Sequence, residues 1–359
     1  MSAAGAALGG RWALGLACGA AAGLGMRTLH LPLPWLIGPL LAMAALRIAA
    51  APVDPVPGGR QAGQVVIGVA VGLYFTAEVL GQLVGHAAAM LLTCAATLLL
   101  GAVTALLLAR LGGVDLKTAY FCAMPAGAAE MAVLGDRHGA AAAPIALSQS
   151  LRIAAIVLTV PPAVSAFGGA GGGALYAPAL TAVLWPRLLA MLVAAAVVSW
   201  IFARLRINNA WLLGSLATGI AVAALDLPLS AVPGWLVAAA QVLLGVALGA
   251  RFDRAFLVAA PRFSLAATLS ALIMVALCAA MGVVVARLLH IETAAAVLAT
   301  APGSIGEMAV TARALGVAVP IVTAFQLLRI LVVVLCAGPF FLLCRRLADG
   351  LAPRPEPGD

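Results

Sequence analysis

The chain has 359 residues, 65% of them hydrophobic and 9% charged, with a formal net charge of +8 and a mean hydropathy of +1.16. Soluble domains are about half apolar, so this composition excludes one and points to an all-α polytopic membrane protein. The positive charge lies mainly in short loops between apolar runs, as in the cytoplasmic loops of membrane proteins, and no soluble basic domain exists that could bind nucleic acid.

In chain order, the first half predicts membrane spans near 11–30, 34–50, 62–82, 86–109 and 141–164. Arg11 followed by an apolar run resembles a signal peptide. However, "LGLAC" before Cys18 has Gly15 where a lipoprotein box wants Leu, and the segment has a counterpart at 178–203, so it reads as a retained span. The stretch 115–139 is left over, because "MPAGAAEMAVLG", from Met124, packs a proline, two glycines and Glu130 into an apolar run and cannot be a clean spanning helix. The second half predicts spans at 178–203, 209–225, 233–250, 263–289 and 318–343, with 292–316 left over.

The two series match because the chain is written twice. "QVVIGVAVGLYF" pairs with "QVLLGVALGARF", "PAGAAEMAV" with "PGSIGEMAV", and "QSLRIAAIVL" with "QLLRILVVVL". Gln64 and Gln241, Pro125 and Pro302, Glu130 and Glu307, and Arg152 and Arg329 are each 177 positions apart. "PWLIGPLLA" and "AWLLGSLAT" pair at 176. Such constancy marks a tandem duplication. It divides the chain into a first membrane repeat (1–167), a Gly-rich linker (168–177), a second repeat (178–346) and a tail (347–359) that reads as disordered.

Loop charge orients the repeats. If each leftover segment is a hairpin that enters and leaves on one side, each half has five spans and the halves are inverted. The cytoplasmic loops then carry Arg47 and Arg60, the group Arg110, Lys117 and Arg137, the pair Arg204 and Arg206, the group Arg251, Arg254 and Arg262, and finally Arg345 and Arg346. The outside receives Arg27, Arg287 and Arg313. If the segments cross instead, Arg251–Arg262 and Arg345–Arg346 fall on opposite sides. The inverted arrangement, with both termini cytoplasmic in a bacterial inner membrane, fits the positive-inside rule better. Inverted repeats with broken helices are a signature of secondary transporters.

Three polar residues recur at matched positions inside apolar surroundings: Gln64, Glu130 and Arg152, then Gln241, Glu307 and Arg329. Pro125 and Gly127, and in the second copy Pro302, Gly303 and Gly306, should break the helix just before each glutamate. A broken helix exposes N–H groups that attract anions and carbonyls that attract cations. Two readings of the charged residues stay open. Glu130 with Arg152, and Glu307 with Arg329, form ion pairs that pin each hairpin to the next helix, or these groups also line a site for an ion or solute. The glutamines read as helix–helix hydrogen bonds or as ligands, and Thr118, Ser148 and Ser304 are weaker candidates for lining a polar path. Asp136, Arg137 and His138 read as a solvated hairpin end. Cys18, Cys94, Cys122, Cys278, Cys336 and Cys344 occur singly and read as packing residues. The histidines are scattered, so neither metal nor cofactor is expected. The tryptophans fall near span ends, as in an interfacial belt.

The paired "PWLIGPLL" and "AWLLGSLA", "GQVVIGVAVG" and "AQVLLGVALG", "MPAGAAEMAVLG" and "APGSIGEMAV", with the duplicated Q…LR blocks, resemble the AbrB family of bacterial membrane proteins over about residues 11–345. The resemblance implies a duplicated membrane domain. Its members carry labels as regulators of gene expression or as ammonia monooxygenases. Four scattered histidines do not supply an oxygenase ligand set, and no DNA-reading module is present. The expectation is therefore an ion- or proton-coupled secondary transporter of a small polar or ionic solute, not an enzyme. A membrane sensor that binds a ligand without moving it is the alternative. The expected partners are the lipid bilayer, the solute and, for assembly, a second copy in a homodimer.

Overall fold

The computed structural model describes residues 3–166, 182–225, 227, 230–252 and 260–351. The linker at 168–177, the start of the 178–203 span, Arg254 and the tail beyond residue 351 lie outside the described residues. The described residues are helical, without strands. The first half contributes α1 (Ala3–Thr28), α2 (Pro34–Ile48), α3 (Gly59–Gly72), α4 (Ala77–Val84), α5 (Ala87–Gly112), α6 (Leu116–Ala123), α7 (Ala128–Arg137) and α8 (Ala142–Ala166). The second contributes α9 (Trp185–Arg204), α10 (Ala210–Ala224), α11 (Gly234–Gly249), α12 (Pro261–Leu289), α13 (Thr293–Thr300), α14 (Ile305–Ala314) and α15 (Val319–Leu351).

Among the described residues, α5, α8, α9, α12 and α15 are each long and apolar enough to cross a bilayer. A sixth crossing appears if α3 and α4 count as one bent span. That bend corrects the single span expected over 62–82. The chain turns by 82° between α3 and α4, because Thr76 leaves the helix and its hydroxyl accepts the Val79 N–H at 3.4 Å. Apolar Leu73 and Phe75 hide the break from any hydropathy average.

The helices sort into two bundles. α1, α2, α3, α9, α10 and α11 pack mainly on one another, and so do α5 to α8 with α12 to α15. The principal links between the bundles join α3 to α14, and α4 to α10 and α15. Small residues set the first bundle. A Cβ on Gly72 would lie 2.7 Å from the Gly219 Cα, and one on Gly245 would lie 2.5 Å from the Leu36 oxygen. The backbones of α3 and α10, and of α2 and α11, therefore touch, as in other small-residue membrane crossings. In the second bundle the equivalent helices α5 and α12 run antiparallel. Ser270 Oγ donates to the Thr104 oxygen at 3.2 Å, while further along Arg262 Nε donates to the Leu111 oxygen at 2.9 Å.

Each leftover segment is a hairpin that folds back. Met124 (φ −61°, ψ 126°) and Ala301 (φ −54°, ψ 138°) are extended, as the prolines that follow them require. In the first copy the two arms return to the same end. Ala141 N–H donates to Thr118 Oγ1 at 3.1 Å, and the Phe121 and His138 rings lie 5.4 Å apart. His138 belongs to this packing, against Phe121 and Phe341. It is not simply part of a solvated end. Both hairpins exit through a left-handed glycine, Gly139 (φ 74°) and Gly316 (φ 66°).

Candidate functional site

The two breaks present four helix ends inside the bundle, and side chains of matched residues cover them. α6 and α13 end with carbonyls that carry partial negative charge. In the first copy Arg152, on α8, donates from Nη1 to the Met124 oxygen at 2.7 Å and from Nη2 to the Ala126 oxygen at 2.8 Å. One turn earlier, Gln149 Nε2 points at the oxygens of Phe121, Cys122 and Met124 at 3.0–3.3 Å. The second copy repeats this atom for atom. Arg329 donates to the oxygens of Ala301 and Gly303, and Gln326 Nε2 points at those of Leu298, Ala299 and Ala301 at 2.7–3.3 Å. All four side chains are buried. The guanidinium fork suits two adjacent carbonyls, and its charge answers the negative end of the helix dipole.

This geometry corrects the expected ion pairs. Among the described residues, salt bridges join Arg11 to Asp54 at 3.3 Å and Arg47 to Asp54 at 3.6 Å, and none joins Glu130 to Arg152 or Glu307 to Arg329. The arginines hold main-chain carbonyls instead. In each copy one donor and one acceptor remain without a protein partner: the Nε of Arg152 and Arg329, and the Oε1 of Gln149 and Gln326. A cavity of about 10 Å³ beside Arg152, walled by Thr104, Ser148 and Ser270 among others, has room for one water.

The glutamates serve the opposite ends. Glu307 is the third residue of α14 and forms a capping box: its N–H donates to Ser304 Oγ at 3.4 Å, and the Ser304 N–H donates to Glu307 Oε2 at 3.1 Å. Glu130 occupies the same position in α7, but Gly127 stands where the second copy has Ser304, and no side chain caps that helix. Gly127 is extended (φ −69°, ψ 144°), so its use is space for a close approach. A Cβ there would lie 1.7 Å from Glu130 Oε2. The first carboxylate thus folds over the bare start of its helix and stays half-buried, while the second is fixed and buried. Gly303 packs against Met308, and Gly306 faces Leu212 of α10 across ordinary contact distance.

The two hairpins share neighbours: α12 packs on α6 of the first and on α13 of the second, and α8, which straps the first, also touches α13. Arg251, just past α11, lies within electrostatic reach of Arg60 and, more weakly, of Glu307 and Glu130. The glutamines at 64 and 241 part company: Gln64 Nε2 donates to Asn209 Oδ1 at 2.8 Å, while Gln241 lines a surface groove. Sequence reasoning missed Gln149, Gln326 and Arg251. The first two open the duplicated Q…LR blocks at the same 177-residue spacing, which was the available signal. Arg251 has no such signal, since its counterpart is Tyr74.

Residues 35–345 match the family described as "Transition state regulatory protein AbrB". The chain is 27% identical to the uncharacterized YhjN protein of Bacillus subtilis (strain 168), covering 92% of each chain. It is 26% identical to an Escherichia coli (strain K12) protein carrying the provisional name regulator AbrB, over 88% of this chain and 91% of that one. No protein of known structure matches. The match spans both hairpins and the helices that hold them, so the chain belongs to the AbrB family, as a helical protein built for the membrane.

Proposed function

We propose that this protein is an ion- or proton-coupled secondary transporter of a small polar or ionic solute, working by alternating access between two inverted repeats. The observation that carries the proposal is the pair of equivalent broken-helix hairpins, each with a carboxylate in the first turn of its returning half-helix, Glu130 and Glu307, and each held by a buried arginine on its carbonyls. Ionisable groups placed at broken helix ends inside a membrane bundle are how transporters build ion and solute sites. Inversion is supported by α5 and α12, equivalent helices that pack antiparallel, and by hairpins whose arms return to one side. On this reading the termini face the cytoplasm across the inner membrane. Arg152 and Arg329 shape the hairpins, while Glu130 takes up the coupling cation or proton. The thin contact between the two bundles supplies a surface along which one moves against the other. No bond-breaking chemistry is proposed.

A second reading, a membrane sensor, is favoured by the regulator name of the Escherichia coli relative. Effects on gene expression would then follow ligand binding at the same hairpin tips. Purified protein in sealed vesicles separates the two when solutes are screened by their uptake, read as tracer accumulation and as movement of charge or protons. Transport is expected to fall at least tenfold, about 1.4 kcal/mol or more, in a Glu130→Gln, Glu307→Gln double variant present at normal levels. Transport unchanged in that variant would overturn the assignment. Saturable binding without any uptake would favour the sensor.

A further inference from the structure

The groove that Gln241 lines has a volume of about 930 Å³ and lies between α1, α11 and the returning arm of the second hairpin, α14. Its size falls within the range of small-molecule sites, about 300–1,000 Å³. The walls are apolar, with Val310 on the hairpin side. Trp35 and Trp235 start α2 and α11, and Arg27 and Arg313 stand near the ends of α1 and α14. Among the described lining residues there is no Asp or Glu, and neither arginine has a carboxylate within 4.0 Å among the described residues. The groove therefore combines uncompensated positive charge with an apolar interior.

Gln64 corresponds to Gln241 in the other repeat, and there the amide donates to Asn209 at the start of α10, whereas Gln241 lines the groove. A lipid chain in the groove would leave the Gln241 amide without a hydrogen-bond partner, which is unfavourable. A hydrated solute would not.

We propose that this groove is the outer entrance for the solute, and that the solute is a small organic anion with an apolar body, its charge drawn by Arg27 and Arg313. The entrance role rests on the transporter reading; the anion preference does not. The test uses the full chain in phosphatidylcholine nanodiscs, titrated with benzoate, neutral benzamide and benzylammonium while tryptophan fluorescence is recorded. Saturable quenching by benzoate is expected, diminished in Trp235→Phe. Affinity should fall about tenfold or more in Arg27→Gln, Arg313→Gln, with thermal unfolding unchanged. Benzamide or benzylammonium binding as well as benzoate would overturn the proposal, and so would absence of benzoate quenching. Benzoate quenching that disappears in nanodiscs containing phosphatidylglycerol would also overturn it, by making an anionic lipid the occupant. If benzoate binds but no solute is taken up, by tracer or by proton flux, the transporter reading fails and the anion site stands. If transport proceeds unchanged in the double arginine variant, the entrance fails and the transporter reading stands.

Discussion

Arg152 and Arg329 are buried cations whose partners are carbonyl oxygens at the end of a half-helix. Removing one orphans a single acceptor, the oxygen of Ala126 or of Gly303, because Gln149 and Gln326 still donate to those of Met124 and Ala301, at a cost of about 1–3 kcal/mol. Arg152→Met should therefore destabilise the protein by about 1–3 kcal/mol, read as a lowered thermal unfolding midpoint in detergent. Arg152→Lys should recover only part of this, because an ammonium lacks the fork that spans two carbonyls. An unchanged midpoint in Arg152→Met would show that these bonds do not hold the hairpin. The glutamates call for a different experiment, since their surroundings differ. Gly127→Ser would recreate the capping box of the second copy in the first, and its side chain would occupy the space now taken by the Glu130 carboxylate. The displaced group ends a flexible side chain, so the fold should hold within about 1 kcal/mol. Transport should nevertheless drop severalfold as Glu130 is pushed aside. Unaltered transport would mean that the position of Glu130 over its helix start has no functional weight.

Among the elements, the crossing of α3 with α10 depends on main-chain contact at Gly72 and Gly219. Gly72→Leu must push two backbones apart, for a cost of about 1–3 kcal/mol or more. Gly81→Ala, in α4 with nothing near its added methyl, should be neutral or stabilise by up to about 1 kcal/mol. Parallel thermal unfolding of the two variants checks the contrast, and equal midpoints would rule out a close-packed crossing. The sequence made these elements legible where a residue acts through its own backbone. Pro125 and Pro302 place both breaks, and the 177-residue repeat identifies both hairpins before any coordinates. Partnership was not legible in the same way. Opposite charges suggested Glu–Arg pairs, but the acceptors that matter are carbonyls, which no sequence displays. Thr76 caps the start of α4 through a hydroxyl–amide bond inside an apolar run, and averaged hydropathy cannot register that.

For the whole molecule, the proposed inverted repeats, with both termini cytoplasmic, assign each loop to one side of the membrane. In intact cells carrying single cysteines on a cysteine-free background, a membrane-impermeant maleimide should label Arg27→Cys and Arg287→Cys directly. Arg47→Cys and Arg137→Cys should react only after permeabilisation. Labelling of Arg27→Cys and Arg137→Cys from the same side would contradict inverted repeats.

The Gln–x–x–Arg turn also bears on how relatives diverge. Gln149, Arg152, Gln326 and Arg329 reach only main-chain oxygens of the hairpins. Such a strap ignores which side chains the hairpin carries, provided the backbone path is kept. Residues along the tips are therefore free to drift in sequence without loss of the fold. On the transporter reading, a substitution at a tip would change what is bound there and leave the strap that holds the loop in place.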